Sequence, residues 1–524
     1  MAELSQPQHA PQGASSEDAS GQLSDRARLL VTIAVMLSAI MVLLDMTIAN
    51  VALPHMMGAL GVTSDQVTWV LTSYSMAEAI FIPLASFLTL KFGVRRLLLI
   101  SVSGFIITSA LCGQADGIVE MVTFRIMQGA FGAAVIPLSQ SIMVQIYPEN
   151  QRGKAMALFS VGVLLGPILG PTLGGIITEN MDWRWIFYVN LPIGALCLAL
   201  LYFFVKLDGR GQTSIDWPLV IAMAIGIGLL QMVLDRGNEE SWFESNTILL
   251  SAVISACAIL FFVARSWITK GDIAPIWLLR DRNLAMSCIV MAGFSMGMFG
   301  ITQLQPMMLE QLLQYPVDTT GFVMAPRGLT SAIVLLAMAR FMDRIDARLL
   351  IVIGLALNAF GTFWMTQYSL DINLYWILLP SIIQGAGMGL VFAPLSQLAY
   401  ATLAPKDTVG GAVVFNLCRT IGGSFGISIV NTYFSRVQQQ EWHELGGALS
   451  PSNPILQQAA QAQGQQITDP SFLIQIQNLL HQQSTLTAFV YTFGFLLISY
   501  LCLIPLLAFF KPKPKGQSQA PMGH

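Results

Sequence analysis

The chain has 524 residues, 54% of them apolar and only 10% charged, against about 25% charged in a typical soluble protein. That deficit leaves too little polar surface for several soluble domains and excludes a soluble enzyme, a nucleic-acid binder or a disordered scaffold. The net charge of −3 is uninformative, because in a membrane protein the placement of charge matters more than its sum.

Residues 1–25, rich in Ser, Gln, Ala and Asp and without a signal-peptide pattern, read as a disordered cytoplasmic tail. Apolar runs of about 20 residues then recur, each ended by charges or Pro and Gly, as membrane-crossing helices require. Fourteen spans are expected: 29–53, 66–90, 97–115, 118–147, 153–178 and 185–205; then 217–234 and 246–267; then 284–309, 319–341, 348–368, 374–402, 410–434 and 486–510. The cations test this count. With the N-terminus inside, twenty of the 26 Lys and Arg fall in inner loops and tails, among them Lys91, Arg95, Arg96, Arg152, Lys154, Arg280, Arg282 and Arg348. The positive-inside rule gives so lopsided a split only when the spans are in register, which places both termini in the cytoplasm. The six cysteines show no CxxC spacing and the five histidines lie in tails or loops, so neither a disulfide framework nor a zinc site is expected.

The chain also repeats itself. Gln128-Gly129-Ala130 leads to Pro137-Leu138-Ser139-Gln140, and Gln384-Gly385-Ala386 leads to Pro394-Leu395-Ser396-Gln397. The register continues from Pro148, Gly153 and Ala155 to Pro405, Gly410 and Ala412, and a weaker echo pairs Lys91 and Arg95 with Arg344 and Arg348. The organisation is therefore a six-helix bundle over 26–206, a linker with two extra spans over 207–282, a second six-helix bundle over 283–510, and a basic tail over 511–524. Residues 435–485 form one long outer segment with an apolar stripe at Phe472, Leu473, Ile476, Leu479 and Leu480 that suggests an amphipathic helix. Two readings are open for it: a polar tether, or a docking surface for an extracytoplasmic partner.

Ionisable groups inside a span cost several kcal/mol and normally face a cavity or a partner. Five stand out: Asp45, Glu78, Arg125, Arg327 and Arg419. At 1.5 Å per residue Asp45 lies roughly 12 Å and Arg125 roughly 10 Å below the outer boundary, so the two can meet, as a static ion pair or as a protonation switch in which Asp45 takes a proton and releases Arg125. Glu78, near the midplane, suits reversible protonation or substrate contact. Arg327 and Arg419 lie at mid-depth in the second bundle, and with Gln128, Gln384 and Asn50 are candidates to line a substrate cavity. Under the repeat, Arg125 corresponds to Ser381: the Gln-Gly scaffold is duplicated and the cation is not. In the fifth span Gly162, Gly166, Gly170, Gly174 and Gly175 permit close helix contact, while Pro167 and Pro171 would kink the helix.

Leu44-Asp45-Met46-Thr47-Ile48-Ala49-Asn50-Val51-Ala52-Leu53-Pro54 resembles the first-helix motif of the 14-spanner drug:proton antiporters of the EmrB/QacA type, within the major facilitator superfamily. Arg125-Ile-Met-Gln128-Gly129 is similar to that family's RxxQG motif, the fifth-span Gly-Pro pattern to its antiporter motif, and Asp182-Trp183-Arg184-Trp185 through Asn190-Leu191-Pro192 to its entry into helix 6. The superfamily's GxLaDRxGRR loop is altered, with Ala85 and Thr89 in place of its first Gly and its Asp. The resemblance implies an all-α membrane protein of the major facilitator fold, an inner-membrane exporter of lipophilic or amphipathic toxic compounds. It would have no cofactor and would be driven by the proton gradient, with Asp45, Glu78 and Arg125 in proton coupling. The long outer segment resembles the EmrB branch, which works with a periplasmic adaptor and an outer-membrane channel. Three intramembrane cations against two acids lean weakly towards anionic or neutral lipophilic substrates, such as weak-acid uncouplers or fatty acids, with cationic dyes still open. An exporter dedicated to one metabolite or siderophore is the alternative. A lipid-acting enzyme would want a histidine in a span, and ATP-driven pumping would want a GxxxxGK[ST] loop; the chain has neither.

Overall fold

The computed structural model describes residues 24–148, 151–205, 216–269, 275–338, 345–404, 407–447, 449, 453–462 and 466–510. The expected tails at 1–25 and 511–524, apart from residues 24 and 25, lie outside these, as do most of the basic residues of the loops beside Lys206, Arg340 and Lys406.

The first bundle contains α1 (Asp25–Leu60), the pair α2 (Trp69–Phe81) and α3 (Leu84–Phe92), then α4 (Val94–Gln114). Helices α5 (Ile118–Gly132) and α6 (Val135–Ile146) follow, then α7 (Arg152–Asn180) and α8 (Asn190–Phe204). The inserted pair is α9 (Trp217–Arg236) and α10 (Asn246–Thr269). The second bundle holds α11 (Arg282–Met307), α12 (Val317–Met338), α13 (Ala347–Met365), α14 (Leu374–Tyr400), α15 (Thr408–Gly447), α16 (Pro454–Ala462) and α17 (Pro470–Leu503).

Among the described residues, twelve helices are long and apolar enough to cross a membrane, or thirteen when the bent α2–α3 pair counts as one span. That pair turns by 58° at Pro83, whose ring removes a backbone donor and breaks the hydrogen-bond ladder. Helix α7, 29 residues and about 44 Å long, occupies the place of the fifth expected span. It runs as one helix through Pro167 and Pro171, whose side chains lie outside the described set.

The expected outer segment is largely an extension of its flanking spans. Helix α15 has 40 residues, or about 60 Å, twice the hydrocarbon thickness of a bilayer, and α17 begins at Pro470. The apolar stripe is thus the start of the last span rather than a separate amphipathic helix. Phe472 is buried against Leu456 and Ala460 of α16, whereas Leu473 and Leu479 are exposed.

Within the first bundle α1 packs most extensively on α7, and α2 on α5; in the second, α13 and α12 pack on α14, and α11 on α15. The repeat read from the sequence is visible in the closest of these approaches. A Cβ on Gly129 would collide with the Tyr74 carbonyl, and one on Gly385 would collide in the same way with the Arg327 carbonyl. Gly129 answers to Gly385, and Tyr74 answers to Arg327 by the offset that relates Lys91 to Arg344. The bundles meet through α7 against α12 and α14, and through α15 against α6, α3 and α2.

The inserted pair is asymmetric. Helix α10 leaves Leu250, Val253, Leu260 and Ile268 exposed and touches α9, its Ser255 donating to the Gly226 carbonyl at 2.7 Å. Helix α9 is wedged between α2 of the first bundle and α15 of the second.

Candidate functional site

Asp45, in the middle of α1, has no exposed surface, and its carboxylate is fully occupied. Oδ2 accepts from Arg125 Nη1 at 2.6 Å; Oδ1 accepts from Gln128 Nε2 at 2.9 Å and from Asn190 Nδ2 at 2.6 Å. Arg125 and Gln128 lie one turn apart on α5, so both reach the same acid, and Arg125 also donates to Gln128 Oε1 (2.8 Å) and, through Nε, to the Val70 carbonyl (3.1 Å). Its guanidinium stacks 4.3 Å from the centre of the Tyr74 ring, while Nη2 has no hydrogen-bond partner among the described residues. Asn190 at the start of α8 also donates to Ser109, whose hydroxyl donates to the Phe187 carbonyl, tying the helix 6 entry to the acid.

The depth estimate brought Asp45 and Arg125 together; sequence reasoning missed Asn190 and Ser109. Neutral polar residues carry little signal in an apolar run, although Asn190 stood in a motif noted for its form.

Arg327 and Gln384 meet in a second buried cluster. Arg327 Nη2 donates to Gln384 Oε1 at 2.8 Å and to Gln305 Oε1; Gln305 donates to Ser381 (2.9 Å) and Gln384 to Thr362 (3.1 Å). Among the described residues no carboxylate lies within 4 Å of Arg327.

Between the bundles lies a cavity of about 70 Å³, lined by Glu78, Arg419, Met46, Phe299 and, from the inserted α9, Gln231 and Asp235. Glu78 is 4% and Arg419 5% exposed. Both charges face this space without pairing within 4 Å, and the Glu78 carboxylate has no hydrogen-bond partner among the described residues. Arg419 Nε donates to Asn416 at 3.3 Å. Of the expected cavity residues Arg419 is in the lining, while Arg327, Gln128 and Gln384 belong to the two buried clusters. Asn50 is exposed on α1 and outside the lining.

This placement corrects the expected charge balance. Arg125 is neutralised by Asp45 and Arg327 faces amides, so the cavity holds one cation and two carboxylates rather than an excess of cations. Asp235 escaped the sequence reading because the seventh span was ended at 234, one residue too early.

The cavity and the Asp45 cluster are neighbours. On α1, Asp45 faces the cluster and Met46 the cavity; on α2, Tyr74 lies under Arg125 and Glu78, one turn on, faces the cavity. Two shared helices are therefore sensitive to both sites.

The glycines of α7 form the seam with α1. A Cβ on Gly166 would lie 2.7 Å from Leu43 Cβ, and one on Gly170 would collide with Thr47 Oγ1; Gly162 and Gly174 face Ile40 and Ile48. Behind Arg419, Gln140 Oε1 of α6 accepts from Tyr400 (2.9 Å) of α14 and Asn416 (2.5 Å) of α15, joining the two bundles by neutral groups.

Comparison with known proteins places this architecture. Residues 35–427 match the model of the Major Facilitator Superfamily. The Multidrug export protein EmrB of Haemophilus influenzae is 33% identical over 86% of this chain and 91% of its own length. The Fatty acid resistance protein FarB of Neisseria gonorrhoeae is 33% identical over 94% and 97%. The proton:xylose symporter XylE superposes with a TM-score of 0.59 at 13% identity, over 93% of this chain and 100% of that one, a likeness of fold. With its all-helical repeated bundles and EmrB-like sequence, this chain is a multi-pass membrane transporter, not an enzyme, and belongs to the major facilitator superfamily.

Proposed function

We propose that the chain is a proton-coupled exporter of lipophilic or amphipathic compounds, working by alternating access between its two bundles from an inner membrane with both termini in the cytoplasm. The observation that carries this reading is the Asp45–Arg125 pair at 2.6 Å, with both side chains wholly buried, beside a cavity that holds the unpaired Glu78. A buried ion pair gives little net stability, because desolvation offsets the attraction, so a titratable pair in this position invites a functional account. Protonation of Asp45 removes the charge that holds Arg125 and turns one of its two accepting oxygens into a hydroxyl donor. The cluster then rearranges, and α1 and α2 carry the change to the cavity. Glu78 exchanges its proton for substrate.

A membrane potential of roughly 150 mV supplies about 3.5 kcal/mol per proton moving one charge across, enough for a gradient of about 400-fold in a neutral substrate. A cavity of about 70 Å³ is well below the roughly 300 Å³ at which ligand pockets begin, so substrate entry requires the bundles to part. The neutral Gln140–Tyr400–Asn416 contact is suited to closing one end, a role for which the altered loop at Ala85 and Thr89 lacks its acid. The names of the EmrB and FarB relatives support export of toxic lipophiles. The helical extensions over 435–485 are suited to a periplasmic adaptor that leads to an outer-membrane channel.

The test is proton release from purified protein in weak buffer on adding lipophiles. Release by wild type that vanishes in Asp45→Asn or Glu78→Gln is expected; tight binding with no release in any variant from about pH 6 to 8 contradicts the reading.

A further inference from the structure

Of the inserted helices, α10 faces outward and α9 lies between the bundles. Helix α9 does more than fill space. Its last two turns carry Gln231, 4% exposed, and Asp235, and both line the cavity that holds Glu78 and Arg419. Gln231 Nε2 donates to Asp235 Oδ1 at 3.0 Å, and the Thr72 hydroxyl of α2 also bonds the carboxylate, so the acid is fixed from both helices. The adjacent cation does not neutralise it: Arg236 is turned onto the Trp69 ring, 5.1 Å from its centre, and onto Glu239 at 3.2 Å. No cation lies within 4 Å of Asp235 among the described residues.

The helix is also anchored to the moving parts. Trp242 and Asn238, just beyond α9, donate to Thr432 (3.1 Å) and Ser435 (3.4 Å) of α15, the helix that bears Arg419. On the other side Gly228 packs against Ile80 of α2, the helix that bears Glu78. The insertion thus holds a fixed acid between the two helices whose charges face the cavity.

We propose that α9 forms the selectivity wall of the substrate site, with Asp235 and Glu78 receiving the positively charged head of an amphipathic monovalent cation. Met46 and Phe299 receive its apolar body. This rests on the transport reading above and adds to it the substrate charge and a binding role for the inserted helix. With both acids ionised, Arg419 leaves one net negative charge in the site for one positive ligand and disfavours divalent cations. An uncharged lipophile meets no such preference, and an anion meets two carboxylates.

Two probes of matched size and opposite charge test this: tetraphenylphosphonium and tetraphenylborate, bound to the full-length protein in lipid nanodiscs with empty discs as background. Wild type is expected to prefer the cation. Asp235→Asn should weaken cation binding about tenfold and leave or improve anion binding, whereas Asp235→Glu should keep the wild-type preference. Glu78→Gln should also weaken the cation. If Asp235→Asn binds the cation as wild type does while Glu78→Gln fails, the wall assignment is overturned and the cavity reading stands. If wild type shows no saturable binding of either probe, both are overturned.

Discussion

The two bundles solve the same packing problem and put different chemistry on it. In both, a Gln-Gly pair on the fourth helix presses its glycine onto a carbonyl of the second helix, Tyr74 in one bundle and Arg327 in the other. In both, the glutamine bonds a guanidinium: Gln128 that of Arg125, and Gln384 that of Arg327. But the cation has changed helices. Where the first bundle has Arg125 the second has Ser381, and where the first has Tyr74 the second has Arg327. The acid has gone as well, for Arg327 meets Gln305 where Arg125 meets Asp45. One bundle carries a buried acid–base pair, the other a buried cation held by amides. Duplication kept the scaffold, and divergence left the paired acid on one side only among the described residues.

The sharpest way to break this comparison is to remove each cation. Arg125→Gln leaves Asp45 buried without its counter-charge, which should cost about 3–5 kcal/mol and abolish transport. Thermal unfolding of the purified variant checks the first expectation and vesicle transport the second. Adding Asp45→Asn to that variant removes the stranded charge. A double-mutant cycle should then show a coupling energy of about 1–3 kcal/mol, with stability partly recovered and transport still absent.

Next in size are the duplicated contacts. Gly129→Ala and Gly385→Ala both drive a methyl into a backbone carbonyl, so each should cost about 1–3 kcal/mol, and by similar amounts. A large disparity in denaturation midpoints would show that the two scaffolds are not equivalent. Smallest is Arg327→Gln. It removes a cation that no carboxylate needs, so the lost hydrogen bonds and the relieved desolvation should nearly offset, within about 1 kcal/mol. Proton coupling should survive it.

Much of this contrast was legible in the sequence. Depth along α1 and α5 brought Asp45 to Arg125, and the repeat exposed the missing cation at Ser381. What stayed hidden depended on which helices touch. Tyr74 and Arg327 reveal their equivalence only through the glycine contacts, since their side chains have nothing in common. Gln305 and Asn190 are neutral and leave no mark in a charge census. Asp235 lay one residue beyond an assigned span end, where an acid reads as a loop residue, and its place in the cavity depends on α9 wedging between α2 and α15. The long outer segment was legible in part: its apolar stripe marks a helix, while the reach of both flanking helices into it did not show, although glutamine is a competent helix former.

The most direct test of the central claim is substrate-driven proton movement in reconstituted vesicles, recorded with an internal pH dye for Asp45→Asn beside Arg327→Gln. The account predicts that Arg327→Gln still moves protons when substrate is added and that Asp45→Asn does not. Proton movement retained in Asp45→Asn, or lost in Arg327→Gln with the protein folded, would contradict it.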